Sequence, residues 1–415
     1  MVAASQPSPL HGRIEQHVWR PTRDHGVGRR HRVAQTIDCF VPEPVVDWDP
    51  TLTASTAALI GEADAEVREF DRQAPGVQGL DALARQLLRQ ESVGSSRIEN
   101  LIVGQKRLAR AAAGGGAKHD AAADLVIGNV RAMERAVSLA VERRSLTRDD
   151  IVAIHRRLLE GTSDDAIAGV VREEQNWIGR SGFSPAGAAF IPPPPEYVEE
   201  LLDDLAAFLN LDGLPVTLQA AIAHAQFEAI HPFLDGNGRV GRCLIHVVFR
   251  RRGLATAVVP PISLVLATHN RLYISGLDAY CFGDLKDWLL FFAACTVKAV
   301  DRAHDLAVRV DALREEWLSR LGRPRSHASS RALLDELAAE PVLTVARAAE
   351  LAGVSETAAA RAIAALEAAG ILTRPSQQKW GRRWEAPEVF ELLDAYERDV
   401  ATPGRTTRPA RPTPR

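Results

Sequence analysis

The segment from His231 to Arg242, which reads HPFLDGNGRVGR, combines residue types and spacing suited to chemistry on a phosphorylated molecule. Two glycines flank Asn237 and interrupt a helical pattern, which begins again at Arg239. Glycines allow successive backbone N–H groups to point inward, and such a nest at the start of a helix binds anions. Because Arg239 and Arg242 are three positions apart, their guanidinium groups share one helix face. The segment therefore predicts a site for more than one phosphate group.

A carboxylate and an imidazole accompany this predicted phosphate site. Asp235 would repel phosphates unless a cation bridged them, and Mg²⁺ binds in this way, through one or two carboxylates plus substrate oxygens. The neutral imidazole of His231 could accept a proton close to the phosphates. The spacing fits neither an EF-hand, nor a P-loop, nor the two-histidine motif of metalloproteases. A glycine-rich loop between two core helices remains the structural alternative.

The elements that must position these residues are predicted to be mainly helical, because Ala, Leu, Arg and Glu are abundant and apolar positions recur every three or four residues. Helical patterns cover residues 51–70, 80–99, 121–142, 147–159 and 216–229. Between residues 170 and 191 the helical period is lost. Short apolar pieces at 176–178 and 188–191 predict a β-hairpin there, followed by a run of four prolines.

The chain is predicted to divide into several regions. Residues 1–34 are expected to form a loosely ordered arm, 35–120 an N-terminal helical region, and 121–320 the domain with the phosphate site. After a linker, residues 325–398 show helix, helix-turn-helix and two short strands, which is the winged-helix pattern. Residues 402–415 are rich in Pro and Arg, which predicts a disordered basic tail.

Composition indicates an ordinary globular protein and gives no sign of a membrane segment. Of the 415 residues, 46% are hydrophobic and 25% are charged, and the formal net charge of −3 predicts no global attraction to nucleic acid. The most apolar run, residues 288–297, is shorter than the roughly 20 residues needed to cross a bilayer. We expect a cytoplasmic protein without a signal peptide. Four cysteines are spaced for neither zinc nor a disulfide framework: Cys39, Cys243, Cys281 and Cys295.

The segment 231–242 resembles the signature of the Fic (filamentation induced by cAMP) family, HPFx[DE]GNGRxxR, at every fixed position. The resemblance extends from about Trp48 to Val300. It implies a mainly α fold, in which a Fic helical-bundle core with a β-hairpin flap is followed by a C-terminal winged helix-turn-helix domain. The implied activity is protein adenylylation: transfer of AMP from ATP to a Tyr, Thr or Ser hydroxyl of a protein.

The resemblance also implies a role for each matching residue. His231 would be the general base that deprotonates the target hydroxyl, and Asp235 would hold Mg²⁺ on the α- and β-phosphates of ATP. The residues implied to bind ATP or its phosphates are Gly236, Asn237, Gly238, Arg239, Gly241 and Arg242. Tyr273 falls where members of the family often place residues of the adenine pocket, although a core tyrosine is the plain alternative.

An upstream segment, Ser95-Ser96-Arg97-Ile98-Glu99-Asn100, resembles the inhibitory motif of the same family, [ST]xxxE[GN]. On a helix, Ser95 and Glu99 would share one face. The resemblance implies that Glu99 pairs with Arg242 and so blocks the γ-phosphate of ATP. A helix C-terminus capped by Asn100 is the structural alternative.

Three further expectations concern partners. Phe190 and Ile191 of the flap could bind a target segment by strand addition. The predicted recognition helix, 355–368, has Arg361 as its only basic residue, which leaves DNA binding open beside dimerisation and target recognition. His224 is expected to pack or hydrogen-bond in the core.

Three functions remain open at this point. The first is an autoinhibited protein adenylyltransferase that uses ATP and Mg²⁺ and modifies a protein target, which could be the chain itself. The second is a Fic enzyme that mainly removes AMP from a target. The third is a winged-helix transcriptional regulator with a nucleotide-sensing Fic domain. Self-association into a homodimer is also left open, and no membrane partner is expected.

Overall fold

The computed structural model describes residues 11–21, 33–74, 79–114, 120–179, 184–283, 285–375 and 382–401. The predicted mainly α fold is confirmed for this part of the chain. The α-helices are α1 (Ala54–Gln73), α2 (Leu80–Ile98), α3 (Gln105–Ala112), α4 (Ala121–Glu142), α5 (Arg148–Leu159), α6 (Val198–Leu209), α7 (Val216–Ile230), α8 (Asn237–Arg251), α9 (Ile262–Thr268), α10 (Asn270–Phe282), α11 (Leu285–Arg320), α12 (Ser329–Glu336), α13 (Val345–Ala352), α14 (Glu356–Ala368) and α15 (Pro387–Ala401). The strands are β1 (Gly12–Trp19), β2 (Gln35–Pro42), β3 (Val342–Leu343) and β4 (Trp384–Glu385).

The described residues form two compact units. The first draws on residues 1–77, 87–103 and 119–301, and the second on residues 78–86, 104–118 and 302–415. Two of the unit boundaries, at 86/87 and 301/302, fall inside the continuous helices α2 and α11. A domain ending at 320 was expected instead, because a helix that runs without interruption through a boundary carries no composition change to mark it.

The first unit is built around α7 and α8, and α7 lies at its centre. Every residue of α7 except Glu228 is buried, which is what a helix that is apolar on all sides requires. The helix ends at His231 in the left-handed conformation. The next helix, α8, begins after Gly236, which is also left-handed with φ of 81°. The loop between these two helices therefore holds the predicted site.

The predicted arm at 1–34 is wrong for residues 12–19. They form β1, which pairs antiparallel with β2 from Gly12↔Pro42 to Trp19↔Gln35. Trp19 is buried with Ile37 and Cys39 of β2 in a small apolar cluster, so burial of one aromatic side chain anchors a strand whose other residues are largely polar. Residues 1–10 and 22–32 of the predicted arm, and the predicted tail at 402–415, lie outside the described residues.

The flap region is less regular than the predicted hairpin. Within its described residues there is a single bridge, between Ile178 and Phe190, and residues 180–183 lie outside the description. The carbonyl of Ile191 accepts a hydrogen bond of 2.9 Å from Phe40 N–H of β2. The flap is thus joined to the N-terminal strands by a backbone contact that no local pattern could have indicated.

In the second unit, the elements from α12 to β4 follow the predicted winged-helix order. The side chains of Thr344 and Ser355 cap α13 and α14. Thr373 bridges to Glu385 of β4, and β4 also pairs with β3. The loop that would form the wing tip, 376–381, lies outside the described residues, and the assignment as a winged helix stays a prediction.

Two simpler expectations concern the membrane and the cysteines. Among the described residues, none of the helices is long and apolar enough to cross a membrane. All four cysteines are free and buried, as expected for isolated thiols in a core.

Candidate active site

His231 lies at the C-terminus of α7 with φ of 49° and ψ of 59°. Residues other than glycine adopt this left-handed backbone conformation at a cost in free energy, so the surrounding structure must hold it. Arg172 Nε donates to the His231 carbonyl at 2.9 Å, and Asn176 Nδ2 donates to the same oxygen at 3.2 Å. These two contacts, from the segment before the flap, fix the backbone of the candidate base.

The His231 imidazole is neutral at pH 7. Burial and, after it, the positive charge of Arg172 together lower its pKa to about 4, against smaller opposing effects of the Glu228 backbone, Glu99 and Asp235. Its side chain retains 17% exposure. A neutral ring with one side open to solvent is able to accept a proton from a group that enters the site.

Asn237 and Gly236 shape the loop that follows His231. The Asn237 amide accepts from Phe233 N–H at 2.8 Å and donates to the Phe233 carbonyl at 2.7 Å, and its side chain is buried. Asn237 therefore closes the loop through its side chain and offers only its backbone N–H to an anion. Gly236 lies against Leu158 and His155, so an added Cβ would clash.

At the start of α8, Arg239 is 3% exposed and has donors to spare. Its Nη2 pairs with Asp235 Oδ2 at 3.0 Å. Its Nε and Nη1 are buried and have no hydrogen-bond partner among the described residues. Buried guanidinium donors without acceptors are costly, and phosphate oxygens at the N-terminus of α8 would satisfy them.

Arg242, one turn along α8, has its donors occupied and is 1% exposed. Its Nε donates to Ser95 Oγ at 2.9 Å, and its Nη2 donates to the Ser95 carbonyl at 2.9 Å and to Glu99 Oε1 at 2.8 Å. The predicted pair between Glu99 and Arg242 is present. Glu99 follows the last residue of α2 as a turn, and Asn100 adopts the left-handed conformation with φ of 62°. Asn100 thus ends the helix that presents Ser95 and Glu99.

The Glu99 carboxylate also reaches the start of α8. A Cβ built on Gly238 would collide with Glu99 Oε1 and would lie 2.8 Å from Arg242 Nη1. Position 238 is in the first turn of α8, where backbone N–H groups attract anions. The carboxylate of Glu99 therefore occupies part of the space that the sequence predicts for a phosphate.

The structure places Gly241 and Tyr273 away from the roles expected of them. Gly241 faces α7, where an added Cβ would lie 2.6 Å from Glu228 Oε1, so its small size admits α7 rather than a phosphate. Tyr273 is 3% exposed, and its hydroxyl contacts His224 Nε2 at 2.8 Å and Arg242 Nη1 at 3.4 Å. It supports Arg242 from behind, and this geometry lends no support to an adenine contact. His224 is buried, as predicted.

In the flap, the backbone groups of Phe190 are already used. Phe190 N–H and C=O both face Ile178, and the Ile191 carbonyl accepts from Phe40. The free edge that strand addition requires at Phe190 and Ile191 is therefore partly filled within the chain, and target binding there stays a prediction.

Sequence reasoning missed Arg172 and His155, because both act on backbone atoms far away in the sequence. Arg172 also donates from Nη2 to the carbonyls of Pro193 and Ile230, at 2.6 and 3.3 Å. His155 accepts from Gly169 N–H at 3.0 Å, so its other nitrogen carries the proton and donates to the Asp235 carbonyl at 3.0 Å. Neither residue belongs to a motif that would have signalled it.

Comparison with known families identifies the region that has relatives. The model described as Fic/DOC family matches residues 145–249, and the model described as Fic/DOC family N-terminal matches residues 57–138. These two regions of the chain are similar to the Fic/DOC family. The matched segments contain most of α1, all of α2 and the whole site from His231 to Arg242, so the similarity covers the parts of the first unit that build the site.

Curated relatives of this chain include the protein adenylyltransferase fic-1 of Caenorhabditis elegans, which is 35% identical over 168 residues. That match covers 40% of this chain and 30% of the relative. The protein adenylyltransferase Fic of Drosophila willistoni is 29% identical over 179 residues, covering 42% of this chain and 33% of the relative. The chain thus spans about a third of the length of these relatives. A solved Fic family protein from Desulfovibrio desulfuricans G20 matches 82% of this chain and 98% of its own, with a TM-score of 0.51 and 21% identity, which shows a shared fold.

Proposed function

We propose that this chain is a protein adenylyltransferase held inactive by Glu99. The observation that carries the proposal is the contrast at the start of α8. Arg239 presents buried donors without partners, whereas Arg242 is occupied by Ser95 and Glu99. The relatives named as protein adenylyltransferases match the same region. A polyphosphate fits these donors, and one of its binding positions is blocked.

The chemistry follows from the positions of the side chains. The neutral His231 imidazole takes the proton of a Tyr, Thr or Ser hydroxyl as the hydroxyl oxygen attacks the α-phosphorus of ATP. The bond between the α-phosphorus and the oxygen that bridges to the β-phosphorus breaks, and pyrophosphate leaves. Arg239 and the N–H groups of α8 bind the phosphates, and Arg242 does so once it is free. Such positioning and charge neutralisation dominate catalysis at phosphorus.

Asp235 is the residue that fits Mg²⁺. Its side chain is 57% exposed and its Oδ2 pairs with Arg239. No cluster of three or more His, Cys, Asp or Glu side chains occurs among the described residues. This donor set suits an ion that takes one carboxylate plus substrate oxygens and water, which is how Mg²⁺ commonly binds with phosphates. When bound, Mg²⁺ would neutralise charge on the phosphates of ATP.

Release of the brake tests the proposal. The full chain and its Glu99→Gly form are incubated with Mg²⁺ and ATP labelled on the α-phosphate, and label on protein is counted. We expect the Glu99→Gly form to incorporate several-fold more label, on itself or on an added lysate. Glu99→Gln is the matched variant: it keeps the side-chain length but removes the charge, and should also activate.

Two controls assign the reaction. Label on the γ-phosphate should not appear on protein, since pyrophosphate leaves. His231→Ala in the Glu99→Gly form should nearly abolish transfer, because a general base contributes about 10²–10⁴-fold. Equal incorporation by wild type and Glu99→Gly would refute the brake, and absence of labelling by every form would refute the transferase. Loss of AMP from labelled protein on adding wild type would favour the alternative in which the enzyme mainly removes AMP.

For the second unit we keep DNA binding and self-association as predictions. The helix α14 carries Arg361 as its one basic residue, and phosphate affinity grows with the number of basic contacts. Arg347 of α13 is paired with Glu340 and Glu350. This charge pattern offers little attraction to a nucleic acid backbone, so a protein target and ATP remain the favoured partners.

A further inference from the structure

Glu228 is a polar side chain of α7 to which neither the signature nor the proposed chemistry gives a role. It is the one residue of α7 that is not fully buried, and its side chain is only 11% exposed. It lies between the imidazoles of His224 and His231, near the C-terminal end of α7. Its Oε2 is 4.0 Å from His231 Nδ1, and its Oε1 is 3.9 Å from His224 Nδ1.

Three buried polar atoms meet here without hydrogen-bond partners among the described residues. They are Glu228 Oε1, His231 Nδ1 and His224 Nδ1. Buried polar atoms are rarely left unpaired, and each such atom in a native site calls for an explanation. The separations of 3.9 and 4.0 Å are within reach of a small side-chain rotation. The carboxyl group is thus held in place to serve one of the two rings.

Gly241 explains why the carboxyl group can lie there. An added Cβ at this position would come within 2.6 Å of Glu228 Oε1 and 3.1 Å of His224 Nδ1. Any other residue would push the carboxyl group off the imidazoles. Gly241, expected to serve the phosphates, makes room for Glu228 instead.

His224 already has a side-chain partner, because its Nε2 contacts Tyr273 OH at 2.8 Å. For His231, Glu228 is the only carboxylate side chain within 4.0 Å of the ring among the described residues. The Nδ1 edge of His231 therefore faces an acceptor, and its Nε2 is left for an incoming hydroxyl.

We propose that Glu228 is the positioning residue of His231: it accepts the Nδ1–H of the ring, fixes the tautomer that leaves Nε2 as the base, and stabilises the imidazolium formed on transfer. The inference rests on the proposed function. During the reaction the hydroxyl proton moves to Nε2, while the Nδ1 proton stays on Nδ1 and is held by a Glu228 oxygen. The same division of labour orients the histidine of serine hydrolases.

The charges around this pair act on it in opposite directions. Burial raises the pKa of Glu228 to about 8; Arg242 opposes this rise and Glu99 adds to it. Displacement of Glu99 therefore favours the ionised carboxyl group, which is the better partner for an imidazolium. The titratable or charged groups that face the pair are Glu99 from the turn after α2, Arg172 from the segment before the flap, His224 from α7, Asp235 from the loop, Arg242 from α8 and Tyr273 from α10.

The kinetic test compares the full-length Glu99→Gly form with Glu99→Gly/Glu228→Gln and, as a matched control, with Glu99→Gly/Glu200→Gln. Glu200 lies exposed on α6. We expect Glu228→Gln to lower kcat by about 10²-fold with little change in the KM for ATP, because a transition-state charge loses its partner. The acid limb of the pH–rate profile should move to lower pH, since an imidazolium without a carboxylate loses its proton more easily. The Glu200 variant should match the parent.

If Glu228 had only a structural role, Glu228→Gln would lower the rate at every pH and leave the acid limb of the pH–rate profile where it is. That outcome, or a loss confined to KM, would overturn the inference. Thermal melts identify a variant that fails to fold, in which case Glu99→Gly/Glu228→Asp, which keeps the carboxyl group, takes its place and should retain the limb of the parent.

A second measurement does not need activity. Nuclear magnetic resonance of ¹⁵N-labelled histidine, with the His231 signals assigned from His231→Ala, reports which ring nitrogen carries the proton. We expect the proton on Nδ1 in the parent and a shift toward a mixed population in Glu228→Gln. A proton on Nε2 in the parent would overturn the inference. If Glu99→Gly transfers no AMP at all, the proposed function fails while this measurement still decides on Glu228.

Discussion

Arg239 and Arg242 show that two identical residues of one motif can be in opposite states. Both are at most 3% exposed. Arg239 keeps two donors without partners, whereas the donors of Arg242 are taken by Ser95, Glu99 and Tyr273. Within a buried site, an unpaired guanidinium donor is costly and an occupied one is stable. In the proposed function, the arginine that limits activity is thus Arg242, whose donors already have partners.

Arg172 gives a prediction at the residue scale. Arg172→Met removes a positive charge that, after burial, is the main cause lowering the pKa of His231. The pKa of His231 should therefore rise, and the acid limb of AMP transfer by the Glu99→Gly form should move to higher pH, opposite to the effect of Glu228→Gln. The pH–rate profiles of the two variants, measured side by side, check the sign.

The same variant should lose stability, because the carbonyls of Pro193 and Ile230 lose the Arg172 donor, while that of His231 keeps only Asn176. Each buried carbonyl left unpaired costs about 1–3 kcal/mol. Arg172→Lys keeps the charge but not the fork of donors, so it should melt early and yet keep the acid limb of the parent. A limb that moves equally in both variants would contradict the electrostatic explanation.

At the scale of elements, the position of α2 decides whether Glu99 can reach α8. Gly94 of α2 lies so close to α9 that an added Cβ would be 2.5 Å from Leu264 N. One turn earlier, Glu91 accepts from Ser263 N–H at 2.7 Å and contacts His246 Nε2 at 2.9 Å. The small size of Gly94 and the buried carboxylate of Glu91 together hold α2 against the neighbouring helices.

Gly94→Ala should therefore push α2 away from α9 and weaken the contact between Glu99 and Arg242. We expect several-fold more AMP transfer than wild type and a lower melting temperature. The matched control is Gly61→Ala on α1, where an added Cβ meets no atom within 4 Å. That variant should be more stable by about 0.5–1 kcal/mol, the usual gain from replacing a helical glycine, with unchanged transfer. AMP transfer from labelled ATP and the melting temperature are measured for Gly94→Ala and Gly61→Ala, each with and without Glu99→Gly. If Gly94→Ala does not increase AMP transfer, the position of α2 does not control inhibition.

At the scale of the whole molecule, buried ionic groups occur in both units: Arg242 with Glu99 in the first, and Glu385 with Arg110 in the second. In the second unit, Glu385 of β4 has a side chain only 4% exposed. Arg110 Nε donates to it at 2.6 Å, and Lys106 Nζ lies at 3.2 Å. Burial by itself would raise the pKa of Glu385, but the hydrogen bonds from Arg110 and Lys106 outweigh burial and hold the pKa below its ordinary value.

A lowered folded-state pKa stabilises the protein above the unfolded pKa, and that stability is lost as the pH falls through the folded pKa. Glu385→Gln should therefore lower the melting temperature of the second unit at pH 7, and the difference from wild type should shrink in acid. Glu391 is exposed on α15, so Glu391→Gln should have little effect on the melting temperature. Calorimetry at neutral and acidic pH checks both, and a difference that grows in acid would contradict the assignment.

The sequence by itself determined what is local. Contiguous residues from His231 to Arg242 predict a loop, a helix start and an anion site, because these depend on backbone conformations of neighbouring positions. The cap at Ser355 and the approximate extents of the helices were predictable for the same reason. The strand at 12–19 was not, since a single buried aromatic residue gives no alternating pattern to detect.

Only the tertiary structure decided which of these groups are free to act. Glu99 is 143 positions from Arg242 along the chain, Arg172 is 59 from His231, and Tyr273 is 49 from His224. The resemblance of residues 95–100 to an inhibitory motif implied the first of these pairs, but the other two depend on how helices pack, which local sequence patterns do not encode. The twelve-residue site contains the candidate catalytic groups, and packing sets its state: the base is neutral, one arginine is available, and the other is occupied by Glu99.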